Sequence, residues 1–530
     1  MSPPLSWKCT DYLTIFLSIW IILSVWAAYA GVLSPLVVVL ALILTYAILR
    51  LTKYAPHEGK IPLEVMGAGL LTILLMGFIF FGIQGGYDLS ADAAPSIATT
   101  AIQSHIPSDY SPYFDLPYFY QLGLPTIASQ FTNLGFHPHH VLWAFALVGL
   151  LLAMAGLTQL AKHLHLSAAV AVWVPILFLC ARIPFSNLLL GEYPWLLAMG
   201  IGFMSVSLLQ RSHFIGTIAL AAAMITHPYI GVLCALAWVV LFFPQFKKII
   251  LTIFGVGVAC IPVIQYQILG FIGLAKEPLS GTEPLALANF IASAHLQGLI
   301  PFALSLAWIA HKMISKKPFT RSDIALIGIG FGGLILSVLL NALFPELILG
   351  TKIPALVLIG MTLMGAQFLS AMVKPMHVGK IALALLAVAL VLIVTSSSMH
   401  STISGSKITL EEAQFATRLG AHDSAIVPVL FLSDSAGKMA QYSQKIPSDP
   451  RGAHFMLSLQ LLRTPRALEL KEQSNAQREM LATKCAACVD AFLQKYPQHY
   501  IVVNTEEFPA LSARNEIFRE GKLILYAVKP

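Results

Sequence analysis

The sequence predicts a polytopic α-helical membrane protein carrying a small α/β domain at its carboxyl end. Three observations lead there. Of 530 residues, 57% are hydrophobic and 11% charged, with a mean hydropathy of +0.78, whereas soluble domains hold about 25% charged residues. Apolar runs long enough to cross a ~30 Å hydrocarbon core recur along residues 1–397. From about residue 398 those runs stop, and shorter patterned segments with more charge take over.

Thirteen spans are expected, at about 12–31, 33–52, 63–84, 141–161, 166–182, 192–210, 213–226, 229–244, 248–270, 296–312, 323–344, 353–373 and 378–397. The pair meeting at Thr226-His227-Pro228-Tyr229 is short for upright crossing, so one of them is a candidate re-entrant segment. The first run contains Ala28-Tyr29-Ala30, which mimics a signal-peptidase site, but its length and the span that follows at once favour a retained helix.

Charge orients the spans. With the amino terminus inside, the inner set carries fourteen basic residues: Lys8, Arg50, Lys53, Lys60, Lys162, Arg211, Lys247, Lys248, Lys312, Lys316, Lys317, Arg321, Lys374 and Lys380. The outer connections carry three, Arg182, Lys276 and Lys352. That asymmetry is what insertion imposes on short loops, and an odd number of spans then places residues 398–530 outside. The net charge of +7 and pI near 9.0 follow from this loop bias, so no nucleic-acid partner is implied.

In the tail, Thr409-Leu410-Glu411-Glu412 is a capping box that opens a helix to about Leu419. Val427 to Leu432, Tyr500 to Val503 and Leu523 to Val528 read as strands, and 452–463 and 465–495 as helices. Six cysteines are too few for a disulfide framework. Cys180, Cys234 and Cys260 sit in apolar runs as packing residues, while Cys485 and Cys488 form a lone CxxC, either a local disulfide or two free thiols.

The chemistry-bearing stretch is the long first outer loop, residues 85–140. Asp88 and Asp92 stand just beyond the third span. An amphipathic helix is expected next, with Pro95 in its first turn and Ile97, Ala101 and Ile102 on one face, lying along the membrane surface. Tyr110, Tyr113, Phe114, Tyr118, Phe119 and Tyr120 then suit the headgroup layer. Two carboxylates at a membrane mouth allow one to act as general base toward an acceptor hydroxyl. The second would raise the pKa of the first or share a divalent cation, Mg2+ or Mn2+. The plainer alternative makes Asp92 a helix-dipole partner and Asp88 a turn residue.

Cations retained outside need a reason. Arg182 and Lys352 suit a lipid phosphate, or an ion pair with a carboxylate such as Glu192. His227, followed by Pro228 and Tyr229, offers a neutral ring to a sugar hydroxyl or a phosphate, or else satisfies carbonyls freed by Pro228. His137, His139 and His140 form at best a weak metal candidate, and no P-loop, dinucleotide fingerprint or HExxH is present.

These residues carry a resemblance. Asp88 after a span, an amphipathic helix ending near Ile106-Pro107, the stretch Leu116-Pro117-Tyr118 to Gly123-Leu124-Pro125, and Thr226-His227-Pro228 together resemble the GT-C glycosyltransferase superfamily. Its plan of many spans and an outer α/β tail is shared by oligosaccharyltransferases and by bacterial arabinosyl- and mannosyltransferases. The resemblance implies a GT-C-like fold and an inverting transfer from a polyprenyl-phosphate-linked sugar to a glycan, lipid or protein at the plasma (inner) membrane. Asp88 would be catalytic and Asp92 its partner, with Arg182, Glu192, His227, Tyr229 and Lys352 on the substrate or its phosphate. The spacing departs from the Asp-x-Asp pair, and the tail lacks a WWD-like signature, which argues against oligosaccharide transfer to asparagine. The rival readings are a secondary transporter, disfavoured because the spans are almost free of charge, and a non-catalytic assembly protein of the same fold.

Overall fold

A computed structural model describes residues 7–56, 94–110, 114–118, 120–181, 192–269, 298–343, 353–374, 377–395, 409–423, 427–433, 465–512 and 514–528, with single positions within 66–74 and 425–447. The expected third span, the helix at 452–463, and the loop holding Asp88 and Asp92 lie largely or wholly outside the described residues.

The helices follow the apolar runs. They are α1 Trp7–Tyr29, α2 Leu36–Leu51, α3 Ala94–Ala101, α4 Gly123–Thr132, α5 Pro138–His163, α6 Ala168–Leu179, α7 Tyr193–Arg211, α8 His213–Thr226, α9 Pro228–Phe242 and α10 Phe246–Ala259. Next come α11 Leu299–Ile314, α12 Arg321–Ile327, α13 Gly333–Leu343, α14 Pro354–Met372 and α15 Val378–Thr395. A π-helical turn, Gly328–Gly332, joins α12 to α13, so the two continue one another. Among the described residues, five helical stretches are long and apolar enough to cross a membrane: Lys8–Tyr29, His140–His163, Tyr193–Arg211, Arg321–Leu339 and Pro354–Met372. Shorter apolar helices pack among them, and the chain is an integral membrane protein.

Small residues set the closest helix pair. A Cβ on Gly149 would lie 2.5 Å from the Leu196 carbonyl oxygen, and one on Gly156 2.7 Å from the Met204 nitrogen. Residue numbers rise together along α5 and α7, so these helices are parallel, packed backbone to backbone as small residues permit. Gly216 lies against Leu209, Gly202 near Ala223, and Gly231 against Met224, so α8 runs antiparallel to both α7 and α9. The first turns of α5, α7 and α9 therefore share one end of the bundle.

The opposite end is pinned by a buried ion pair. Asp11 is 0% exposed and accepts two hydrogen bonds from Arg211, at 2.6 and 2.8 Å. Gln159 donates to Asp11 Oδ1 at 3.1 Å and accepts from Arg211 at 3.0 Å and from Ser207 at 3.2 Å. The Tyr54 hydroxyl donates to Asp11 Oδ2 at 3.1 Å. Burial, then the neighbouring carboxylate, push that phenol far above its ordinary pKa.

Strands β1 Asp109–Tyr110 and β2 Phe114–Pro117 pair antiparallel in the first long loop. The tail holds β3 Pro428–Leu432, β4 Ile446–Pro447, β5 Tyr500–Asn504, β6 Glu516–Glu520 and β7 Leu523–Ala527 in the order β4-β3-β5-β7-β6. Strands β4, β3 and β5 are parallel, while β7 is antiparallel to β5 and β6. Helices α16 Leu410–His422, α17 Pro465–Thr483 and α18 Cys488–Lys495 cover the sheet. Alternation along the strands builds two cores. Val429, Phe431, Val502 and Leu525 meet Phe415 and Leu419 of α16, whereas Leu430, Ile501, Val503 and Ile524 meet Val489 and Phe492 of α18. The capping box at Thr409 and Glu412 is formed in both directions.

Two expectations need correction. The segment 465–495 is two helices, because Lys484 takes a positive φ of 50° and Cys485 is bonded to Cys488 across the corner. Strands β4 and β6 were not anticipated; β6 alternates charge, Glu516, Arg519 and Glu520, around a single buried Phe518. The amphipathic helix expected after Asp92 forms as α3. Ala98 and Thr99 are 0% exposed and Ile102 is 1% exposed, because α3 packs into the protein against α4, α5 and β1.

Candidate functional site

At the shared end of α5, α7 and α9, helix α8 stops at Thr226 because Pro228 cannot continue it. His227 takes an extended conformation, φ −156° and ψ 101°. Its N–H closes α8 on the Ala223 carbonyl at 2.8 Å, and its carbonyl accepts from Gly231 at 3.1 Å to open α9. The side chain is 1% exposed. The Tyr229 ring, 44% exposed, stands 5.9 Å from the imidazole.

The first long loop arrives at the same place. A Cβ on Gly123 would meet Thr226 Oγ1 at 2.5 Å, its Cα at 2.7 Å and its nitrogen at 2.9 Å. Backbone therefore lies on backbone, which only a residue without a side chain permits. Residues Gly123 to Gln130 of α4 are all buried, and Gln130 holds the loop to α1 by accepting from Trp20 at 3.2 Å and donating to Ser24 at 2.8 Å. The other side of the mouth is formed where Ile106 N–H donates to the Ala28 carbonyl at 3.2 Å. The tail closes over β2, on which α17 packs; Leu470 of α17, 4% exposed, joins the apolar cluster of the membrane helices.

Four helices begin at this mouth or beside it, α4 after Leu122, α5 after His137, α7 after Glu192 and α9 after His227, and none of these N-cap residues caps its helix with its own side chain. Each start carries roughly half a positive elementary charge in its open N–H groups. Such an end suits an anion, above all a phosphate.

Of the residues singled out in the sequence, the structure brings His227, Tyr229 and Glu192 to one end. Glu192 is half-buried at the head of α7, its carbonyl accepting from Leu196 at 3.1 Å. Asp88, Asp92, Arg182 and Lys352 lie outside the described residues. His137 and His140 stand 5.2 Å apart, ring to ring, and among the described residues no three His, Cys, Asp or Glu side chains gather to hold a metal ion. Sequence reasoning missed Gln121, beside Leu122 at the mouth, and the Asp11 partner of Arg211. A carboxylate inside an otherwise apolar first run was the available signal for Asp11.

Fold and mouth together define an integral membrane protein whose first long loop and His-Pro helix break meet beside an α/β tail. Similar solved structures include the mycobacterial arabinofuranosyltransferase AftD, at 13% identity and a TM-score of 0.49 over 87% of this chain. ArnT from Cupriavidus metallidurans bound to undecaprenyl phosphate is similar at 14% identity and a TM-score of 0.45, again over 87% of this chain. The chain spans 41% of the length of the first and 97% of the second. At these levels neither likeness transfers a residue role or a substrate. No protein-family model and no curated protein matches the sequence.

Proposed function

We propose that this protein is an inverting glycosyltransferase that takes a sugar from a polyprenyl-phosphate carrier and passes it to an acceptor on the extracytoplasmic side of the plasma (inner) membrane. The packing of Gly123 on Thr226 carries the reading. It joins the two stretches that bear the GT-C resemblance, which are far apart in sequence. The uncapped starts of α4, α7 and α9 favour a phosphodiester beside His227 and Tyr229. Arg182 and Lys352 are assigned to that phosphate as well, with Glu192 positioning one of them.

In the proposed reaction Asp88 takes the proton of an acceptor hydroxyl while the oxygen attacks the anomeric carbon. The new C–O bond forms as the bond to the phosphate oxygen breaks, and polyprenyl phosphate leaves with the electron pair. Asp92 either holds the pKa of Asp88 up by like-charge repulsion or shares Mg2+ or Mn2+ with it; sensitivity of transfer to EDTA separates the two. The fourteen-to-three loop bias supports the outer location of this mouth and of the tail.

Binding of polyprenyl phosphate by the full chain in detergent, followed by native mass spectrometry, tests the lipid part directly. Retention of one lipid phosphate, weakened in His227→Ala, is expected. Equal retention of a neutral polyprenol would contradict a phosphate site.

A further inference from the structure

Gln121 sits immediately before Leu122 and Gly123, at the head of α4, where the outer loop meets Thr226. Its carboxamide oxygen is buried and accepts no hydrogen bond from the described residues, while the residue as a whole is half-buried. Leu122 and Leu124 beside it are 0% exposed, so the loop is held in place while this oxygen goes unmatched. A buried acceptor left without a donor destabilises the unliganded protein, and such sites discriminate strongly against ligands that cannot supply the missing group.

We propose that Gln121 is a specificity-determining residue that accepts a hydrogen bond from a hydroxyl of the transferred sugar. The inference rests on the glycosyltransferase reading and deepens it. A polyprenyl phosphodiester offers acceptor oxygens and an apolar chain but no donor. Of the proposed donor substrate only the sugar carries O–H groups, so Gln121 distinguishes the loaded carrier from the spent one. That difference matters after turnover, when polyprenyl phosphate must leave and a fresh sugar-bearing lipid must enter. Leu has similar volume and no acceptor; Glu keeps an acceptor at the same reach and loses the N–H donors.

The test compares thermal unfolding of the full chain in detergent with bare polyprenyl phosphate and with polyprenyl phosphate carrying a hexose or a pentose. In the unsubstituted protein one sugar-bearing lipid raises Tm more than the bare lipid. Gln121→Leu abolishes that difference, weakening the sugar-bearing lipid roughly tenfold while the bare lipid binds as before, and Gln121→Glu retains it. Persistence of the difference in Gln121→Leu overturns the proposal. Its loss in Gln121→Glu as well overturns the assignment to the oxygen, since the amide N–H would then be the recognising group. If neither lipid shifts the unsubstituted protein, the lipid-linked reading falls and Gln121's role falls with it, a result distinguishable from the two before.

Discussion

Gly123 and Thr226 touch backbone to backbone, with a Cβ on Gly123 placed 2.7 Å from the Thr226 Cα. That contact ties the first long loop to the break between α8 and α9. Gly123→Ala therefore cannot be absorbed by a side chain turning aside. The substitution is expected to cost about 1–3 kcal/mol in stability and to reduce sugar transfer. Gly257→Ala, where nothing lies within 4 Å, serves as control and leaves the melting temperature unchanged or raised.

His227 closes one helix and opens the next with its backbone, and its ring stands 5.9 Å from that of Tyr229. His227→Gln preserves those backbone bonds. Transfer from a polyprenyl-phosphate sugar is expected to fall about 100-fold, the usual scale for loss of a positioned polar group. Melting should change little, and circular dichroism with a thermal scan checks this.

The buried Asp11–Arg211 pair belongs to stability at the far end of the bundle. Arg211→Met strands Asp11 and should cost about 3–5 kcal/mol. Asp11→Leu combined with Arg211→Met removes both charges and should recover most of that loss. Thermal unfolding of the single and double variants checks the pair, and additive losses would deny the coupling.

Cys485 and Cys488 are bonded across the corner between α17 and α18. Closing so short a loop stabilises by about 2 kcal/mol on the chain-entropy account. Maleimide labelling of intact membranes is expected to modify these cysteines only after reduction, as for an outer compartment. Reduction should also lower the unfolding temperature of the tail.

The membrane helices were legible because each must be apolar along its length. The capping box at Thr409 and the break at His227-Pro228 were legible for local reasons, a side-chain cap and a missing N–H. The burial of α3 was not, since an apolar face made of Ala98, Ala101 and Ile102 looks alike whether lipid or protein covers it. Neither was the corner at Lys484, a positive φ without glycine. Strand β6 hides because an edge strand with one buried residue carries little apolar signal. In the site, residue types were visible, but the meeting of Gly123 with Thr226 depends on how α4 packs against α1, α5 and α8.

The mouth beside Gly123 and His227 is proposed to transfer sugar from a polyprenyl phosphate with Asp88 as base. Full-length protein in proteoliposomes, given a radiolabelled polyprenyl-phosphate sugar and a membrane extract as acceptor, measures this directly. Asp88→Asn is expected to lower the rate about 100-fold or more while lipid binding and melting temperature stay as in the unsubstituted protein. Transfer that continues undiminished in Asp88→Asn would contradict the account.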